Sequence, residues 1–222
     1  MTFKNHMEKG YAYHVISIID LKKTLREGIR YNDKNTYASK YTDFHTYFDM
    51  HKPEGIPEWV ERKKAIFASI GFGKGHRWHS HSAILKVRVL RDRCWVCNEN
   101  LANFIYEPFI LQEIEGFERT EEYMEIKGKE FVSEYWNNSL SYNANLRKRY
   151  DKRKGYDAEV LIMHSIPPEN IECLYIVSDH QIMSYREWKE YFVCGSSYPE
   201  AQYNKYLQPS SVSSAAKTPG SQ

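Results

Sequence analysis

The spacing of apolar positions changes along the chain, and each change marks an element. Tyr11–Ser17 (YAYHVIS) is a β-branched and aromatic run that reads as a strand. Ser17 and Asp20 have the spacing of a capping box, Leu21 and Leu25 share a helical face, and Gly28 is the expected stop. Tyr37, Tyr41, Phe44 and Phe48 fall on one stripe, which predicts a helix over 36–51. Pro53 and Pro57 then interrupt the chain, and a short amphipathic piece follows around Trp59. AIFAS (65–69) reads as a buried strand, and GFGKGHRWHSH (71–81) as a Gly-rich loop. Residues 82–90 alternate as a strand, which Cys94–Cys97 extends in strand pairing. AEVLIM (158–163) and IECLYIV (171–177) are further strands on either side of a Pro-Pro turn. Ser184 and Glu187 form a capping box for a last helix over 185–193.

Strands and helices are mixed without regular alternation. That order predicts an α+β fold with a mostly antiparallel sheet rather than a doubly wound one. No composition break divides residues 1–207, which read as one domain. QPSSVSSAAKTPGSQ (208–222) reads as a flexible tail rich in Ser and Pro. The N-terminal residues have no apolar signal core and no apolar run approaches a membrane span, so a cytoplasmic protein with no membrane partner is expected.

Charge is nearly balanced, 31 basic against 29 acidic residues, so any nucleic-acid contact must come from a local patch. Two segments stand out. Residues 107–134 hold nine Glu against three basic residues and read as a solvated, acidic helical insert. Residues 146–154 (LRKRYDKRK) then supply Arg147, Lys148, Arg149, Lys152, Arg153 and Lys154 around a single Asp151. Such a run is either a solvated face or a phosphate-binding loop, and Tyr142, Tyr150 and Tyr156 beside it are of a type that stacks on bases.

Two further patterns carry candidate chemistry. Alternation puts Tyr13, Val15 and Ser17 on one face of the first strand and His14 and Ile16 on the other. Within a strand, His14 needs a hydrogen-bonding partner, either structural or functional. Asp157 and Glu159, two apart at the entry of an apolar strand, share one face and either meet solvent or line a cleft. Cys94-Trp-Val-Cys97 is half of a zinc site at most; ordinary core thiols are the preferred reading and no metal is expected. GFGKGH lacks the Lys-Ser/Thr ending of a P-loop.

Taken together, a YHVIS strand, a DLKKTLREGI helix, a central IFAS strand, an AEVLI strand and the IPPEN turn before IECLYIV resemble the ADP-ribosyltransferase superfamily. Within it they are most similar to the DarT-type toxins that ADP-ribosylate DNA bases. The resemblance spans most of residues 11–178. It implies an ADP-ribosyltransferase-like split antiparallel sheet with flanking helices, NAD as co-substrate, and transfer of one ADP-ribose to a DNA or RNA base. The role implied is that of a bacterial toxin or phage-defence effector, with an antitoxin as partner.

Residue by residue, the resemblance makes Glu159 the catalytic carboxylate. Tyr13, His14, Val15 and Ser17 would hold NAD, with His14 on the adenosine-side ribose. Phe67 and Ala68 match the family's central strand, and Ile66 stands where many members have Tyr. Trp78 would stack on nicotinamide. DarT-type enzymes also use an Arg upstream of the central strand, for which Arg62 and Arg77 both stand available. Arg147, Lys148, Arg149, Lys152, Arg153, Lys154 and Tyr156 would face the acceptor. Asp157 matches neither the Glu of Arg-modifying members nor the Gln of guanine-modifying ones.

Rival readings follow from the same residues. An NAD glycohydrolase or a protein-directed transferase would share the fold, and a non-catalytic nucleic-acid-binding module would keep only the basic run. RNA 2′-phosphotransferases use NAD through basic residues, and the AEVLI strand argues against them.

Overall fold

The computed structural model describes residues 8–33, 38–71, 81–178 and 182–194. Eight strands occur there: β1 (Tyr11–Ser17), β2 (Ile66–Ser69), β3 (Ser82–Arg88), β4 (Cys94–Asn98), β5 (Leu140–Ser141), β6 (Ala158–Ile162), β7 (Ile171–Val177) and β8 (Ile182–Ser184). They pair, antiparallel throughout, into one sheet of order β5-β4-β6-β2-β1-β3-β7-β8. Seven helices accompany them: α1 (Leu21–Glu27), α2 (Ala38–Met50), α3 (Glu99–Leu111), α4 (Arg119–Tyr123), α5 (Lys129–Asn137), α6 (Tyr142–Lys148) and α7 (Tyr185–Cys194). The α+β class with an antiparallel sheet is thus as expected.

The sheet is narrowest in its middle. β1 shares seven registered pairs with β3, and β2 shares four with β6, but β1 and β2 share one, Tyr13↔Ser69. Two halves of four strands therefore meet at a single rung. Past it, β1 and β2 need other partners for their backbone groups. One is a side chain: Nδ1 of His14 meets the Phe67 carbonyl at 2.6 Å. A carbonyl only accepts, so Nδ1 carries the proton.

Alternation gives the two faces different contents. Ala158, Val160 and Ile162 of β6, Ile66 and Ala68 of β2, and Ala12, Leu85 and Val87 line one face, packed with Leu21 and Tyr142. Leu161, Trp95, Cys97 and Phe67 line the other, beneath Phe44 and Phe48 of α2, Leu101 and Ile105 of α3, and Val132, Tyr135 and Trp136 of α5. Glu159 shares that second face, between Val160 and Ala158 on the first.

Several local expectations need correction. Ser17 caps a 3-10 turn, Ile18–Asp20, accepting from the Ile19 N–H at 3.4 Å, and Asp20 makes no capping bond. The acidic segment is not wholly solvated: Met124 and Val132 are buried, and Tyr135 and Trp136 just past its end continue the Val132 stripe at i+3 and i+4, fully buried. A π-helical turn, Met124–Gly128, joins α4 to α5. The basic run starts on α6 rather than in a loop, and α6, β5 and β8 have no counterpart in the sequence reading. Each is short, and β5 and β8 sit at sheet edges where neighbours supply the order that propensity does not.

Other expectations hold. Gly28 ends α1 at φ 80°, and a Cβ there would meet the Ile166 carbonyl oxygen at 2.3 Å, so conformation and space both require glycine. The Ser184–Glu187 box is present: Glu187 N donates to Ser184 Oγ at 3.1 Å and Ser184 N to Glu187 Oε2 at 2.8 Å. Tyr37, the Gly-rich segment 72–80 with Trp78 and Arg77, and the tail lie outside the described residues. Among the described residues, no helix is long and apolar enough to cross a membrane.

Candidate active site

The helical face of the sheet buries one ion pair. Glu159 is 4% exposed and registered between Ser69 of β2 and Cys97 of β4. Arg62, equally buried, donates from Nη2 to both of its oxygens, at 3.1 and 3.2 Å. The Tyr135 hydroxyl donates to Glu159 Oε1 at 2.6 Å and accepts from Arg62 Nε at 3.0 Å. Arg62 Nη1 contacts Nδ1 of His45 on α2. All three guanidinium nitrogens are therefore engaged. Glu159 Oε1 receives two donors and Oε2 one, an asymmetry that leaves acceptor capacity on Oε2.

Arg62 is held from both ends. It begins a 3-10 turn, Arg62–Lys64, whose first two N–H groups donate to the Asp49 carboxylate of α2 at 2.7 and 3.0 Å. Its guanidinium carbon lies 4.8 Å from the Phe48 and Phe67 ring centres, 5.4 Å from Tyr135 and 5.7 Å from Phe44. A planar, weakly hydrated cation suits such an aromatic box. Burial alone pulls the guanidinium down, but Glu159 and Tyr135 outweigh it and hold its pKa above the ordinary value. Burial pushes the Tyr135 phenol and the Cys97 thiol well up, so both remain protonated.

A second carboxyl stands nearby. Glu99 opens α3, and its N–H donates to the Asp157 carbonyl at 2.8 Å, extending the β4–β6 ladder by one pair. By alternation Glu99 and Asp157 share the face of Glu159. Burial, then Glu159, then Asp157 raise the Glu99 carboxyl to about 7, while Arg62 opposes them. Asn98 ties this corner together. It caps α3 through the Asn100 N–H, accepts from Asp157 N at 3.0 Å and donates to the Gly155 carbonyl at 3.3 Å.

The anticipated residues separate into groups. Of the two candidate arginines, Arg62 reaches Glu159, and Arg77 lies outside the described residues, as does Trp78. Phe67 is half-buried beside the pair, stacked on His45 with ring centres 4.9 Å apart. Ala68 faces the opposite, apolar side of the sheet. His14 belongs to that side by alternation, but its ring reaches the seam at the Phe67 carbonyl. Tyr13 is 2% exposed and sits on the single rung; burial raises its phenol to about 12. Val15 and Ser17 are exposed farther along β1.

The basic run is partly committed. Arg147, Lys148, Arg149, Lys152, Arg153 and Lys154 are all exposed, but Arg149 forks onto Asp151 at 3.0 and 2.8 Å. Arg153 covers the Tyr150 ring at 3.3 Å. Tyr142 is fully buried and donates to the Tyr11 carbonyl at 2.8 Å, and the half-buried Tyr156 donates to the Asn138 carbonyl at 2.9 Å. Tyr142 therefore serves the fold and does not present its ring for base stacking, while Tyr156 has its hydroxyl committed to the fold. Cys94 and Cys97 are buried on opposite faces of β4 and cannot ligate one ion.

Tyr135, His45, Asp49 and Glu99 are the site residues that the sequence reading missed. Tyr135 alone had a signal, the Val132-x-x-Tyr135-Trp136 stripe. Comparison with family models, curated proteins and solved structures found no match.

Proposed function

We propose that this chain is an NAD-dependent mono-ADP-ribosyltransferase on an ADP-ribosyltransferase-like split sheet, with a DNA or RNA base as acceptor. One observation carries the reading. Glu159, on the strand whose AEVLI sequence resembles the family's glutamate strand, is oriented by Arg62, the kind of arginine that the DarT-type resemblance implies. The pair lies next to the single rung at which the sheet comes nearest to splitting.

The chemistry asks little more of the protein. The bond between C1′ of the ribose and the nicotinamide nitrogen breaks, and nicotinamide leaves neutral with the bonding electrons. Positive charge develops on the ribose, and a fixed carboxylate stabilises it. A nitrogen or oxygen of the acceptor then bonds to C1′ and loses its proton. Glu159 serves the ribose, Arg62 and Tyr135 hold its orientation, and Glu99, with a carboxyl near neutrality, is suited to accept that proton. Arg147, Lys148, Lys152 and Lys154 bind acceptor phosphates. In this reading the protein is a cytoplasmic toxin or defence effector with an antitoxin partner.

The test is incubation with labelled NAD and, separately, single-stranded DNA, duplex DNA, RNA and lysate protein. Label is expected on a nucleic acid. Glu159→Gln should reduce transfer by about 10²-fold or more. Glu159→Ala is a poor control because it leaves the buried Arg62 Nη2 with no acceptor as well as no counter-charge, whereas glutamine keeps one carbonyl oxygen there. A folded Glu159→Gln protein working at the parental rate removes Glu159 from catalysis. Glu159 is also buried and bonded at both oxygens, as in a structural pair, which favours the binding-module reading as the rival. NAD should raise the melting temperature under our reading and leave it unchanged under that one.

A further inference from the structure

We propose that His45 is a positioning residue for the Arg62–Glu159 pair, acting as a neutral hydrogen-bond acceptor; the catalytic consequence rests on the transferase reading. Arg62 has three partners through its guanidinium. Two of them, Glu159 and Tyr135, are buried beneath the sheet face, at 4% and 0% exposure. His45 is the third and is only half-buried, so it is the least shielded of the three partners of Arg62.

The direction of the His45 contact follows from the groups. A guanidinium has donors and no acceptor, so Nδ1 of His45 must offer its lone pair and the ring proton must sit on Nε2. His14, on the other strand of the seam, has the opposite tautomer, with Nδ1 donating to the Phe67 carbonyl. Phe67 thus meets one histidine through its carbonyl and the other through its ring, at 4.9 Å and 27°.

The arrangement makes His45 sensitive to protonation. Among the described residues, the groups around it include Arg62 from the 3-10 turn, with Glu159 and Tyr135 behind it, Phe67 from β2, and Tyr41 and Phe44 from its own helix. A second ring proton removes the Nδ1 acceptor and sets two cations in contact. Nη1 then loses its partner, and the fork on Glu159 loses the bond that holds its far side. Histidine is the side chain suited to such a change on the acid side of neutrality, and the guanidinium beside it disfavours the second proton.

The test compares wild type, His45→Asn and His45→Ala. Asparagine offers an oxygen near the Nδ1 position at any pH, and alanine offers nothing. Nitrogen-15 spectra of the labelled imidazoles report the tautomer directly, and transfer from NAD is followed across the same pH range. The proposal expects the His45 proton on Nε2 at neutral pH. It also expects wild-type transfer to fall in step with its second protonation, and His45→Asn to lose that acid limb while keeping most of its rate. His45→Ala should lose about tenfold in kcat with KM for NAD little changed, the cost of one acceptor to a charged donor. A proton on Nδ1 at neutral pH, or wild-type kcat in His45→Ala, overturns it. If wild type leaves NAD intact, the transferase reading fails. The spectra then decide alone whether His45 is the acceptor of Arg62.

Discussion

Two ion pairs in this chain use similar groups to different ends. Lys127 and Glu130, on the surface of the acidic helices, stand 2.7 Å apart with side chains 51% and 59% exposed. Arg62 and Glu159 are farther apart, 3.1 Å, and each side chain is 5% exposed. The closer pair is the one that matters less. In water, attraction is screened and two mobile side chains lose entropy in meeting. In the aromatic box, neither charge has water to fall back on, so each depends on the other and on Tyr135. Separation alone is therefore a poor guide to consequence; the alternative open to each partner decides.

The largest effect should come from breaking the buried pair on one side. Arg62→Ala leaves the Glu159 carboxylate without its cation and should cost about 3–5 kcal/mol in urea unfolding. The double variant Arg62→Met/Glu159→Leu removes both charges and should recover most of that loss, a strongly non-additive cycle. Additive single and double variants would put this pair in the same class as the surface one.

Tyr135→Phe should come next, at about 1–3 kcal/mol, since it removes a hydroxyl that both donates to Glu159 and accepts from Arg62. An unchanged denaturation midpoint would mean that the two charges need no third group.

Glu99 sharpens the comparison through pH. Its carboxyl is raised from 4.5 to about 7, so the folded state holds a proton that the unfolded state has released within that window. Stability from this group is full below pH 4.5 and is lost as pH rises towards 7 and beyond. Glu99→Gln should therefore stabilise the protein at pH 8, on the order of 1–2 kcal/mol, and do little at pH 4.5. Equal melting-temperature changes at both pH values would deny the coupling.

The smallest effect belongs to the surface. Lys127→Ala should leave the denaturation midpoint unchanged within measurement, at low salt and high. A salt-dependent loss comparable to that of Tyr135→Phe would show that the exposed pair is not the ordinary screened contact described above.

How much of this was legible depended on whether a signal was local. β1, β2, β6 and β7 stand out because alternating or continuous apolar runs of strand length have few other solutions. Gly28 and the Ser184–Glu187 cap were readable because caps involve neighbours in sequence. Glu159 is singled out by the resemblance of AEVLI to a glutamate strand; by itself the Asp157–Glu159 spacing leaves a solvent-facing and a cleft-lining carboxylate both open. The partner of Glu159 was not chosen between Arg62 and Arg77, because Arg62 lies 97 residues away and no local pattern ties it to Glu159. The acidic segment misled because nine Glu dominate its composition, while the few apolar residues Met124 and Val132, continued by Tyr135 and Trp136 past its end, decide which face is buried. Tyr142 beside the basic run misled in the same way. Its type suits base stacking, but it is fully buried and its hydroxyl goes to the carbonyl of Tyr11, distant in sequence.

The sequence by itself determined the α+β class, most of the strands and the stop at Gly28. These follow from periodicity and from the conformational limits of single residues, and both act within a few positions. Only the tertiary structure decided that the sheet is joined at a single rung and that Arg62 rather than a solvent molecule answers Glu159. It also brought Tyr135 and His45 to the same guanidinium. Pairing across a sheet and burial beneath a helix are set by the whole chain's packing, because desolvation depends on every group that excludes water from the site.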